Sequence, residues 1–169
     1  LRAMVAIAKD FSLFLIFDEI YEHIIYNNAS TAPMAKVIET VPGISLKGIS
    51  KEVPWPGARC GWAEYYNRDQ DDDFNKLCQT IDNAKMIEVS STTLPQRAIP
   101  KIMTDPRYDL FLKSTSQAIG QRSKKLCDFF AEIPYVNFNL TNGAFYNTII
   151  FKVGALKPKQ QLNITDPEI

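Results

Sequence analysis

The sequence predicts an α/β fold on three observations. The run Leu13-Phe14-Leu15-Ile16-Phe17 is continuously apolar, with no polar alternation, and reads as a strand buried on both faces. Helical spacing precedes it and recurs downstream. Asp18 follows directly at the strand's carboxyl end, the edge at which open parallel α/β sheets bind ligands.

The elements follow in order. Leu1, Met4, Val5, Ile7 and Ala8 form a helical stripe over residues 1 to 10. After the Leu13–Phe17 strand, residues 27 to 36 read as a loop. A short helix runs from Met34 to Glu39 and stops at Pro42-Gly43. Ile44 to Ile49 is a second strand and Arg59 to Tyr66 a third. Pro54, Pro56 and Gly57 bar regular helix or central strand between them. The acids Asp69, Asp71, Asp72 and Asp73 read as the N-terminus of a helix facing its dipole, in preference to a metal loop. Phe74, Leu77, Cys78, Ile81 and Ala84 continue that helix as core positions. Another helix follows Leu94-Pro95-Gln96 through Ala98, Ile99 and Ile102. Pro106 opens a long helix to about Ala131, with Leu110, Phe111, Ile119, Leu126 and Phe130 on its apolar side. Tyr135 to Phe151 reads as two strands around the turn signal Thr141-Asn142-Gly143.

Composition narrows the function classes. Nineteen basic and nineteen acidic residues cancel, so charge favours neither nucleic acid nor an anionic membrane as a partner. No apolar run is long enough to cross a bilayer, and no signal-peptide pattern opens the chain. Cys60, Cys78 and Cys127 form no C-x-x-C pair and read as reduced thiols of a cytoplasmic protein. His23 is the single histidine, which leaves multi-histidine zinc sites and a histidine-based triad without support. The chain opens on Leu1 inside a helix and closes on Asp166-Pro167-Glu168-Ile169 with no terminal element. Both ends read as cuts in a longer polypeptide.

Four chemically distinct groups cluster around the strand ends. They are Asp18 in Asp18-Glu19-Ile20-Tyr21, Tyr21 itself, Lys51 in Gly48-Ile49-Ser50-Lys51, and Arg59 in Pro56-Gly57-Ala58-Arg59-Cys60-Gly61-Trp62. Each alone has an ordinary reading: a loop acid, a half-buried aromatic, a surface lysine, an ion-pair partner. Together they resemble the class I/II aminotransferases of the type I pyridoxal-phosphate fold, from the helix before Asp18 to Gly143-Ala144-Phe145-Tyr146.

That resemblance implies part of a large domain, with a mostly parallel sheet flanked by helices, over residues 1–106. A connecting long helix would cover 107–133 and the opening of a small α+β domain 134–169. It implies that Lys51 forms a Schiff base with pyridoxal 5′-phosphate and then moves a proton as general base and acid. Asp18 would pair with the pyridine nitrogen, Tyr21 would bond the 3-oxygen, and Arg59 would grip the phosphate with help from Ser50. The implied activity moves an amino group from an amino acid to a 2-oxo acid, in a homodimer with partner contacts near Ser90 to Thr93. Glu19 takes a structural part, and Trp55 and Trp62 are packing residues.

The pattern departs from the family at Gly48, where many members carry a phosphate-binding serine. The family's phosphate turn, ring-stacking aromatic and Asn-Pro-x-Gly segment would precede Leu1. Its substrate-carboxylate arginine would follow Ile169, so Arg97, Arg107 and Arg122 are not assigned to that role. The 169 residues alone are therefore expected to be inactive and to hold no cofactor. A lyase or decarboxylase with the same cofactor uses the same residues, although carbon–sulfur lyases of this type usually carry histidine at the Tyr21 position. A non-catalytic aminotransferase-like binding domain is the third reading.

Overall fold

The computed structural model describes residues 1–152. The expected strand beyond Tyr135 falls within them, and the segment from 153 onward lies outside the described residues.

The central strand β2 (Gly43–Gly48) pairs on one side with β1 (Leu15–Asp18) and on the other with β3 (Gly61–Tyr66). β1 and β2 run parallel, Leu15 opposite Gly43 and Asp18 opposite Leu46. β2 and β3 run antiparallel, with Gly48 opposite Gly61. The difference follows from the connections. Between β1 and β2 the chain has room for a helix, α2 (Met34–Val37). Between β2 and β3 it has only a 3₁₀ turn at Pro56–Ala58, too little for a crossover, so it returns antiparallel.

One sheet face carries Leu15 and Phe17 against Val5 and Ala8 of α1 (Arg2–Asp10) and Met34 and Val37 of α2. On the other face Ile44 packs on Phe74 and Cys78 of α3 (Asp72–Lys85). α3 covers the central strand but not the edge. Ile16, the register partner of Ile44, is therefore 57% exposed, and the expectation of burial on both faces of Leu13–Phe17 is corrected. Leu1, Met4 and Ile7 of the α1 stripe are likewise exposed, leaving Val5 and Ala8 as its buried residues.

α3 begins as its acids predict. Asp71 is the N-cap, its carboxylate accepting from the Phe74 N–H at 2.7 Å, with Asp72 and Asp73 in the first turn. Ala84, expected in the core, is exposed. The third strand starts at Gly61, not Arg59, because Arg59 is left-handed (φ 47°, ψ 46°) and closes the 3₁₀ turn.

α4 (Thr93–Met103) already includes Leu94-Pro95-Gln96, and α5 (Tyr108–Ala131) starts two residues after Pro106, which lies in the preceding turn; the buried side of α5 is also not the predicted one. Leu110, Phe111 and Leu126 are exposed, while Leu112, Ser116, Gly120, Ser123 and Cys127 are buried. Small residues win there because the helix lies against polar partners: Ser116 donates to the His23 carbonyl at 3.1 Å, and Ser123 and Thr141 share a hydroxyl contact at 2.9 Å. β4 (Val136–Phe138) and β5 (Ile149–Phe151) form a separate antiparallel pair. Among the described residues no helix is long and apolar enough to cross a membrane.

Candidate functional site

Asp18 ends β1, and the other sequence-predicted residues lie in the segments that follow β1 and β2, with Arg59 just before β3. The Glu19 N–H donates to the Leu46 carbonyl at 2.9 Å, tying the first residue past β1 to the central strand. Asp18 accepts from the Ile20 N–H at 3.2 Å, and bonds from Glu22 to Glu19 and from Ile24 to Tyr21 coil the chain there. On the other strand, the Ile49 N–H donates to the Cys60 carbonyl, and the Trp55 N–H returns to the Ile49 carbonyl. Lys51 and Arg59 thus leave from the same end of the β2–β3 hairpin.

Gly48 and Gly61 make that hairpin end close-fitting. A Cβ on Gly61 would lie 2.7 Å from the Lys47 carbonyl oxygen, and one on Gly48 would lie 3.1 Å from the Cys60 carbonyl oxygen. Gly48, the departure from the family's serine, therefore has a packing reason in this chain.

The Lys51 Nζ lies 5.8 Å from the centroid of the Tyr21 ring. Burial pushes the Tyr21 phenol up to about 12, helped by a hydrogen bond to Tyr146 and by the charges of Tyr146 and Asp18. Asp18 is thus within electrostatic reach of Tyr21. Arg59 is exposed, and its Nη1 donates to the Pro56 carbonyl at 2.7 Å. Ser50 precedes Lys51, half-buried, with no hydrogen bond from its hydroxyl among the described residues.

The charges decide what this corner can hold. Among the described residues Asp18, Lys51 and Arg59 form no ion pair with one another or with any other side chain. A carboxylate, an amine and a guanidinium uncommitted at one strand end suit a ligand bearing a cationic ring nitrogen, a carbonyl carbon and a phosphate. The donor set fits pyridoxal phosphate.

Four residues before Lys51, within β2, the charges are fully committed. Lys47 lies 2.6 Å from Glu22, 3.4 Å from Glu19 and 4.0 Å from Glu64. Burial pulls the Lys47 ammonium down, but these carboxylates more than reverse it and hold it above the ordinary lysine value. Glu19 accepts from the Met34 N–H at 2.7 Å and from the Ser45 hydroxyl, which joins α2 to β2 and is the structural part the sequence assigned it. Burial pushes the Glu64 carboxyl up, yet hydrogen bonds from Tyr66 and Trp62 and the Lys47 charge together hold it below the usual range. Trp62 packs as predicted and also donates to Glu64.

Sequence reasoning missed Phe145 and Tyr146 as neighbours of this corner. The Tyr146 hydroxyl is 2.7 Å from that of Tyr21, and the Phe145 ring stands edge-on to Tyr21 at 5.1 Å. The available signal was Gly143-Ala144-Phe145-Tyr146, whose turn was legible but whose destination was not. It also missed His23–Glu52, a pair 2.8 Å apart between the loop after β1 and the loop after β2. An open cavity of about 800 Å³ lies between Tyr26 and α5 and is lined by none of the predicted site residues.

Comparison with known proteins identifies the family. The family described as aminotransferase class I and II matches residues 1–157. An uncharacterized aminotransferase of Methanocaldococcus jannaschii is 42% identical over 169 residues, covering 100% of this chain and 39% of that protein. The tyrosine aminotransferase of Caenorhabditis elegans is 30% identical over 151 residues, covering 86% of this chain and 31% of its own length. The solved alanine aminotransferase of Pyrococcus furiosus superimposes with a TM-score of 0.80 at 25% identity, covering 90% of this chain and 38% of that one. The chain thus spans well under half the length of these relatives. With the family match running over residues 1–157, a relative 42% identical along the whole chain and a matching fold, the chain belongs to the aminotransferase class I and II family.

Proposed function

We propose that these residues carry the lysine half of a pyridoxal-phosphate site in an aminotransferase that moves an amino group between an amino acid and a 2-oxo acid. The observation that carries the reading is Lys51. Its amine lies beside Tyr21 with no carboxylate partner among the described residues, whereas Lys47, four residues earlier, has three.

Bound there, pyridoxal phosphate would supply an electrophilic carbonyl carbon and an electron-withdrawing ring. Lys51 would hold the cofactor through its amine and, once released, would move a proton between the substrate Cα and the cofactor's C4′ as general base and acid. Asp18 keeps the ring nitrogen protonated, which favours charge development at that carbon. Tyr21 donates its phenol proton to the ring oxygen. Arg59 would grip the phosphate with its planar fork, and Ser50 would add a hydroxyl.

The homodimer implied by the family belongs to the same proposal, as does a division at about residues 106 and 133 around α5. The free, buried Cys60, Cys78 and Cys127 favour a reducing compartment, the cytoplasm.

The test is borohydride reduction of the natural polypeptide carrying these residues, with added pyridoxal phosphate, followed by peptide mass analysis. The expected adduct sits on Lys51 and is absent from Lys51→Ala. An adduct confined to other lysines rejects the reading. Conversion of the cofactor to its amine form by amino donors separates transfer from elimination or decarboxylation. The 169 residues by themselves are expected to give no stoichiometric visible band.

A further inference from the structure

We propose that Tyr146 and Phe145 are positioning residues of the Lys51 site: Tyr146 fixes the Tyr21 phenol by a hydroxyl–hydroxyl bond, and Phe145 forms the second aromatic wall beside the Lys51 ammonium. The proposal rests on the reading of Lys51 and Tyr21 given above.

The chain brings these residues together through its backbone. The Tyr26 N–H donates to the Asn142 carbonyl at 3.0 Å and the Ala144 N–H to the Ile24 carbonyl at 2.9 Å, forming an antiparallel bridge between Ile25 and Gly143. Gly143 permits that approach, since a Cβ there would lie 3.1 Å from the Ile24 oxygen. The Tyr26 hydroxyl reaches Thr141 at 2.7 Å and the Gly143 carbonyl at 3.2 Å, and Asn27 donates to the Thr141 carbonyl at 3.2 Å. Ala144 then takes a left-handed turn (φ 52°), after which the chain presents Phe145 and Tyr146 to Tyr21.

The resulting geometry is specific. The Lys51 Nζ is 5.8 Å from the Phe145 centroid and the same distance from that of Tyr21, so one ammonium faces two rings. The Tyr21 ring meets Phe145 and Tyr146 at interplanar angles of 84° and 82°, the edge-to-face arrangement that aromatic quadrupoles favour. A phenol oxygen has one proton and two lone pairs. Tyr21 can therefore accept from Tyr146 and still donate onward, and accepting sharpens its donation. A segment more than a hundred residues downstream thereby sets the direction of the phenol that the functional reading aims at the cofactor.

The test uses the natural polypeptide carrying these residues, first without cofactor. Tyrosine labelled with ¹³C at Cζ is followed by NMR, with Tyr21→Phe assigning the Tyr21 signal. Without cofactor the Tyr21 phenol has no ring oxygen to meet and donates to Tyr146 instead, so removing the Tyr146 hydroxyl removes two causes that raise the Tyr21 phenol: at about pH 10.5 the signal stays protonated in wild type and becomes partly ionised in Tyr146→Phe. An unchanged Tyr21 titration overturns the role of Tyr146. In Phe145→Leu, which keeps an apolar side chain, Lys51 is expected to react roughly two- to fivefold faster with an amine-directed reagent, read by peptide mass. An unchanged rate overturns the role of Phe145.

With pyridoxal phosphate, Tyr146→Phe should weaken binding by about two- to tenfold, and by nothing further in a Tyr21→Phe background. A loss that persists in that background assigns Tyr146 a role independent of Tyr21 and overturns the coupling. Absence of any cofactor binding in wild type would sink the functional reading, and the two cofactor-free measurements would still decide this one.

Discussion

Lys47 and Lys51 are four residues apart and have opposite surroundings. Lys47 lies in a strand, 17% exposed, with Glu22, Glu19 and Glu64 around its ammonium. Lys51 lies just past the strand end, over two aromatic rings, with no carboxylate partner among the described residues. A lysine surrounded by carboxylates is a good structural cation and a poor nucleophile, because those charges hold its proton. A lysine over aromatic faces keeps its place without that penalty, since cation–π attraction is weaker than a close ion pair. The same contrast holds for the acids. Glu19 spends both oxygens on Met34 and Ser45, while Asp18 next to it accepts one backbone N–H. The division between architecture and chemistry falls within a few residues, at the end of one sheet.

Substituting each lysine tests that division. Lys51→Ala should lower amino transfer by about 10²–10⁴-fold, the range typical of a lost acid–base group, with little change in melting temperature. Lys47→Met should do the reverse. It leaves Glu22, Glu19 and Glu64 facing one another and should cost about 1–3 kcal/mol of stability by denaturant titration, less than at a fully buried pair because solvent reaches Lys47. Borohydride labelling at Lys51 should survive. The stability gap has a pH signature. The Glu64 carboxyl is held below its usual value, so its contribution is present above about pH 4.5 and lost as pH falls through the lowered folded value. Wild type and Lys47→Met should converge on acidification. A gap that widens in acid would show that the carboxylates are not what Lys47 stabilises.

Arg59 provides a smaller contrast. Its fork is planar and held by one carbonyl, so Arg59→Lys keeps the charge and loses the two-pronged fit. Affinity for pyridoxal phosphate should fall about tenfold, while inorganic phosphate, which needs only charge, should compete almost equally against both proteins.

Local signals account for what the sequence revealed. β1, β2 and the α3 cap rest on short-range chemistry: an apolar run, a Pro-Gly stop, and Asp71 three residues before the amide it caps. Asp18, Tyr21, Ser50, Lys51 and Arg59 could be singled out together because they fall within two short segments of sequence. What failed depended on distant partners. Ile16 is apolar but lies past the reach of α3, and no local rule says where a covering helix ends. The face of α5 was misread because Leu110, Phe111 and Leu126 point outward while Ser116 and Ser123 meet the His23 carbonyl and Thr141. Phe145 and Tyr146 reach Tyr21 only through the bridge at Gly143, a pairing no window of neighbouring residues contains.

The smallest effect sharpens the comparison from a third charged pair. Glu52, on the loop that carries Lys51, accepts from the His23 backbone N–H at 2.6 Å and contacts the His23 Nδ1 at 2.8 Å. The Glu52 hydrogen bond raises the His23 imidazole above 6.5, burial opposes it, and the charges of Glu52 and Glu22 add to the rise. A raised folded value means that the charged pair contributes fully below the unfolded pKa of about 6.5 and is lost as pH climbs through the folded value. His23 is 48% exposed, so the effect should stay below about 1 kcal/mol. Glu52→Gln keeps an acceptor for the backbone N–H and removes the charge. The melting difference between wild type and Glu52→Gln should therefore be larger at about pH 5.5 than at about pH 8.5. A difference that does not change with pH would place the whole contribution in the backbone bond, making Glu52 a neutral strut and leaving the Lys51 loop insensitive to histidine charge.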